Sequence, residues 1–93
     1  MDLSRYDLIR PDIIESLDEY AKNGRPVGHF LSAVLSNDLF EAVGRADSDN
    51  LETLPIICSY IYNKLPATCW GNRTKFLGWL RTKHAERESE IEN

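Results

Sequence analysis

The apolar positions recur with a period of 3.6 along most of the chain, and they predict helices. Ile13, Ile14, Leu17, Tyr20 and Ala21 form one stripe. Pro11 opens this first helix, where its missing N–H had no partner, and Asp12 and Glu15 suit the positive end of the dipole. Asn23-Gly24 ends it. Arg25-Pro26 is the expected start of a second helix, with Val27, Phe30, Leu31, Val34 and Leu35 as its apolar face. Asn37 is the expected N-cap of a short third helix that turns Leu39, Phe40 and Val43 to the core, with Gly44 weakening its end.

Asp47-Ser48-Asp49-Asn50 reads as a turn and capping cluster. Leu51, Leu54, Cys58, Ile61 and Leu65 then make a heptad-like stripe interrupted by Pro55. Either the helix kinks there, or residues 48–54 form a separate turn and the helix begins at Pro55; the second reading is favoured. Leu65-Pro66 ends that helix. Residues 66–72 are expected to be a loop with a buried Trp70, and Asn72 to cap a last helix bearing Phe76, Leu77 and Leu80, with Trp79 at its flank. From Arg81 the chain is charged, with Ile91 its one strong hydrophobe, and is expected to fray. Ile56 to Tyr62 is the one segment that competes as a strand, but its neighbours keep helical spacing.

These elements predict an all-α fold, a compact orthogonal bundle of four to five short helices. Residues 1–10 form a leader or docked arm, because Leu3, Tyr6 and Ile9 recur every three residues; residues 11–80 form a single helical domain, and residues 81–93 a charged helical tail. Ninety-three residues are enough for one core and no more. No apolar run is long enough to span a bilayer, and the first residues lack a signal-peptide layout, so the expected location is the cytoplasm. Cys58 and Cys69 are then expected to be reduced, half-buried thiols.

Charge divides the chain. Residues 1–52 hold eleven acids and five bases, and residues 53–93 hold four acids and six bases. The net charge of −4 argues against general binding to duplex nucleic acid. Between Thr53 and Ala85 there is no acid, while Lys64, Arg73, Lys75, Arg81 and Lys83 alternate with Tyr60, Tyr62, Trp70, Phe76 and Trp79. Such a segment suits a flat anion or an acidic protein surface.

Catalytic chemistry finds little to work with. His29 and His84 show no pairing with Cys58 or Cys69 that matches a nucleophile–base or metal-ligand spacing. The carboxylates one turn apart, Glu15 with Asp18 or Glu19 and Asp38 with Glu41, read as solvated faces. The expectation is no enzyme, no metal and no cofactor. The candidate ligand-binding residues are Tyr62, Asn63, Trp70, Asn72, Arg73 and Lys75, where a helix N-terminus, cations and rings could meet one nucleotide-like anion. The competing reading is a capped turn with its tryptophans in the core.

Arg10-Pro11-Asp12-Ile13, Gly24, Gly28-His29-Phe30-Leu31, Ala33 to Leu39, Ala46-Asp47, Asn50, Tyr62-Asn63 and Cys69-Trp70-Gly71 together resemble a family of short uncharacterised proteins of tailed phages and prophages. The likeness spans roughly residues 10–80 and implies a setting more than an activity. Such accessory proteins bind a host protein or sequester a host signal molecule. The expected function is therefore a non-enzymatic phage protein that holds a small anionic host defence signal, with a homo-oligomer left open. The alternative is an inhibitor that blocks a host protein, and a weaker one is a minor structural protein.

Overall fold

The computed structural model describes residues 2–92, with side chains as far as Glu88. The chain is all-α among these residues, and no helix is long and apolar enough to cross a membrane. A short 3-10 turn, Tyr6–Leu8, precedes α1 (Pro11–Asn23), α2 (His29–Leu35), α3 (Leu39–Arg45) and α4 (Ser48–Lys64). A second 3-10 turn, Ala67–Cys69, leads into α5 (Arg73–Glu92). The charged tail is thus helical as far as Glu92; Ile91 lies beyond the described side chains.

The core draws on every segment except the tail. Ile9, Ile13, Leu17 and Tyr20 meet Phe30, Leu31, Ala33 and Leu35, then Leu54, Ile57, Ile61 and Leu65, with Cys69 and Phe76 closing one end. The leader is docked: Ile9 is buried, Tyr6 stands edge-on to Tyr60 at 5.2 Å, and Arg10 bridges Asp12 and Asp47. The Tyr60 hydroxyl donates to Asp18 at 2.6 Å and so ties α4 to α1. Burial, followed by that carboxylate, pushes the Tyr60 phenol up to about 12.

Three local expectations change. α2 starts at His29, not at Arg25-Pro26, because Gly28 adopts an extended N-cap conformation; the Ser32 hydroxyl then donates to the Val27 carbonyl left outside the helix. Asn37 does not cap α3. It ends α2 with a left-handed φ of 61°, a conformation asparagine tolerates, and the Asn37 and Asp38 amides donate back to Val34 and Ala33. Asp38 provides the cap instead, its carboxylate accepting from the Glu41 amide.

The third change is at Pro55. α4 begins at Ser48, capped by Asp47, and runs through the proline. The carbonyl that Pro55 deprives of a donor belongs to Leu51, and both residues lie on the exposed face, where water can serve it. Continuing the helix keeps Asn50, Leu54, Ile57 and Ile61 on one buried face, which offsets a cost of about 3 kcal/mol for an interior proline.

Tyr20 fastens the C-terminal third to this core. Its fully enclosed ring stacks on Phe76 at 5.5 Å, and its hydroxyl donates to the Cys69 carbonyl at 2.7 Å. Its own carbonyl accepts from the Trp79 indole at 3.0 Å. Beside it Gly24, at φ 68°, lets α5 pass closely, since a Cβ there would collide with Lys83. Tyr20→Phe keeps the stack but leaves the Cys69 carbonyl unserved. Urea unfolding should show a loss of about 1–3 kcal/mol; a change below about 0.5 kcal/mol, the level of an ordinary surface substitution, contradicts this role.

Candidate functional site

The corner expected to bind a ligand is built at the α4–α5 junction. α4 stops at Leu65, whose carbonyl accepts from the Trp70 indole at 3.4 Å. Gly71, at φ 121°, makes a turn that residues with a Cβ rarely adopt, and its amide donates to the Leu35 carbonyl at 2.9 Å. Asn72 then caps α5 by accepting from the Lys75 amide at 2.8 Å. A backbone bond to α2 and a side-chain cap therefore hold the corner from both sides.

The structure divides the six candidate residues. Tyr62 and Trp70 come together, rings 5.6 Å apart and tilted by 48°, over a cleft of about 190 Å³ lined also by Val34, Asn37, Cys58 and Ile61. Asn63 points the other way, donating to the Ser59 carbonyl at 2.9 Å and reaching the Tyr6 hydroxyl at 3.5 Å. Arg73 lines a separate cavity of about 260 Å³ with His29, Ser32, Ser36, Asp38 and Glu41. Lys75 lies along Gly71. The aromatic cleft thus has no cationic side chain in its lining, and Arg73 shares its cavity with two carboxylates.

Trp70 is half-buried, between the two expectations for it, and Tyr62 is 71% exposed. The cysteines also differ: Cys69 is fully enclosed and Cys58 lies at the surface, both as free thiols. Burial pushes the Cys69 thiol up to about 11, which leaves it protonated and unreactive at neutral pH. Among the described residues no three His, Cys, Asp or Glu side chains gather where they could hold a metal ion.

The most prominent surface feature lies next to this cleft. Leu39, Phe40 and Val43 were expected to face the core, yet they are 63%, 89% and 42% exposed, and the small Ala42 takes the buried position. α3 packs chiefly on α2, and a methyl at position 42 permits that close approach while the large residues turn outward. Across from them Leu51, 48% exposed, continues through Pro55 and Cys58 to Tyr62 as an outer ridge on α4. A narrower cavity lined by Leu39, Ala42, Leu54 and Asp38 shares Val34, Asn37 and Cys58 with the aromatic cleft, so one furrow runs between α3 and α4 to Trp70. The spacing of residues 51, 55, 58 and 62 is helical, and it sits beside the buried stripe of 54, 57 and 61. A helix apolar on both sides signals a second contact surface, and that signal was present in the sequence.

No family model, curated protein or solved structure matches the chain. The resemblance to phage proteins accordingly has no matched relative behind it.

Tyr62→Ala and Trp70→Ala separate a free side chain from a structural one. Trp70→Ala should cost about 2–3 kcal/mol, as a half-buried ring whose indole is hydrogen-bonded. Tyr62→Ala should cost no more than about 1 kcal/mol, the scale of a single aromatic pair. Equal losses in chemical denaturation contradict the assignment of Tyr62 to an open surface.

Proposed function

We propose that the chain is a non-enzymatic binding protein that works through protein–protein contact on the α3–α4 face. The observation that carries this reading is Phe40, 89% exposed, with the exposed Leu39 and Val43 on the same short helix, next to a furrow that Leu39, Cys58 and Tyr62 line. Clustered exposed apolar side chains rimmed by polar residues mark contact sites for other proteins. In the setting suggested by the resemblance to phage proteins, a bound host protein is blocked by occupation of its own contact surface. The second reading, capture of a nucleotide-like anion, draws on the Tyr62–Trp70 cleft and on Lys75 nearby. It is supported less well, because the cleft lacks a cation and Arg73 lies in another cavity.

The test uses the wild-type chain, Phe40→Asp and Arg73→Glu as baits in a lysate of the natural host. Wild type and Arg73→Glu should retain the same stoichiometric protein, and Phe40→Asp should lose it while melting at an unchanged temperature. Retention by Phe40→Asp together with loss by Arg73→Glu contradicts the reading and returns the cationic corner to prominence.

A further inference from the structure

We infer that residues 2–9 form a strap that lifts off α4 as one unit while the helices stay folded, and that its lifting opens a cavity beside Leu8. The strap lies on the side of α4 opposite the outer ridge and is independent of what the α3–α4 face binds.

The backbone of the strap is bonded only to itself. The amides of Arg5, Tyr6, Leu8 and Ile9 donate to the carbonyls of Asp2, Ser4, Arg5 and Tyr6, and among the described residues no backbone bond joins residues 2–9 to the rest of the chain. The strap can therefore leave α4 without stripping a backbone group of its partner. Only Ile9 of these residues is buried, and Leu8, a large apolar side chain, is 51% exposed. Together with Arg10, Leu8 walls a cavity of about 330 Å³ whose other side is Asp49, Glu52, Thr53 and Ile56 on α4. One buried anchor beside an unfilled gap places the segment at the low-stability end of the fold.

The two ends of the strap differ. Arg10 is a fixed mooring: its carbonyl accepts from the Ile13 and Ile14 amides at the start of α1, and its guanidinium bridges Asp12 and Asp47. Ile9 and Arg10 are both extended, at ψ 137° and 139°, so the chain passes from the 3-10 turn to α1 through a two-residue hinge. The free end is clasped by side chains alone. Tyr6 stands edge-on to Tyr60, the Lys64 ammonium lies 6.0 Å from the Tyr6 ring centre, and the Asn63 amide reaches the Tyr6 hydroxyl at 3.5 Å. Two of these partners keep other bonds when the strap leaves: Tyr60 to Asp18, and Asn63 to the Ser59 carbonyl. The closed state thus depends on Ile9 and Tyr6, and the open state leaves the helices in place.

Amide exchange of the full chain in low urea separates the strap from the helices. A three-residue turn has no stability of its own once lifted, so the Leu8 and Ile9 amides report opening. They should exchange faster than the Ile57 and Ile61 amides and with little dependence on urea, while the rates at Ile57 and Ile61 rise steeply with it. Tyr6→Ala should speed Leu8 and Ile9 by about two- to tenfold, the worth of an aromatic pair. Tyr20→Phe, which weakens the core, should speed Ile57 and Ile61 and leave Leu8 and Ile9 unchanged. Equal acceleration of all four amides by Tyr20→Phe means that the strap opens only with the whole fold, and it overturns the inference. Leu8 and Ile9 rates that Tyr6→Ala leaves unchanged overturn it as well. Should Tyr20→Phe not fold, the wild type decides alone: four parallel urea slopes overturn the strap, and flat slopes at Leu8 and Ile9 beside steep ones at Ile57 and Ile61 support it.

Discussion

The phenol, ring and carbonyl of Tyr20 bind three different parts of the C-terminal third: the Cys69 carbonyl, the Phe76 ring and the Trp79 indole. All three contacts lie in or beside the core, and burial pushes the Tyr20 phenol well above its ordinary range, so the hydroxyl stays a donor at every physiological pH. The register of α5 against α1 is set here, and with it the position of the turn at Trp70, Gly71 and Asn72. The Gly71 amide then locks that turn to α2 through Leu35. The Trp70 end of the furrow inherits its geometry from one buried tyrosine some fifty residues earlier in the chain.

The other wall of the furrow is set by a different constraint. α2 ends with Asn37 in the left-handed region, and the chain re-enters a helix at once under the cap of Asp38. This abrupt turn leaves α3 room to pack through Ala42 alone. Seven residues make a helix too short to be stable by itself, so α3 depends on α2 for its existence and has little buried surface of its own. Its outward leucine, phenylalanine and valine are costly in water unless something covers them. A contact surface follows from the same turn that shapes the fold.

Much of the fold was legible in the sequence because helical periodicity, Pro11, Asn23-Gly24, Asp47 and Asn72 all act locally. The errors came where a local rule met a tertiary one. Pro55 suggested a helix start, yet the buried stripe of Leu54, Ile57 and Ile61 outweighed a missing donor on the wet side. Leu39, Phe40 and Val43 read as inward-facing because large apolar residues are usually inside, but which stripe of a short helix faces the core depends on the angle of the preceding turn. The candidate site was legible only in part. Tyr62 and Trp70 do meet, whereas Asn63, one residue from Tyr62, is rotated by about 100° around α4 and serves the leader instead. Arg73 stands at a helix start, as the Asn72 cap implies, but its carboxylate neighbours Asp38 and Glu41 come from another helix region and leave no trace in local sequence.

Amide hydrogen exchange, compared between the free chain and its complex with the protein it captures, shows whether the α3–α4 face is covered in the working protein. In the free chain α3 should open readily, because so little of it is buried. If a partner protein covers the face, exchange across residues 39–45 and the outer turns of α4 should slow in the complex, while α1 stays unchanged. Exchange rates in α3 that are identical with and without the bound protein, or protection that grows instead at the cationic corner, would show that the α3–α4 face is not the contact surface.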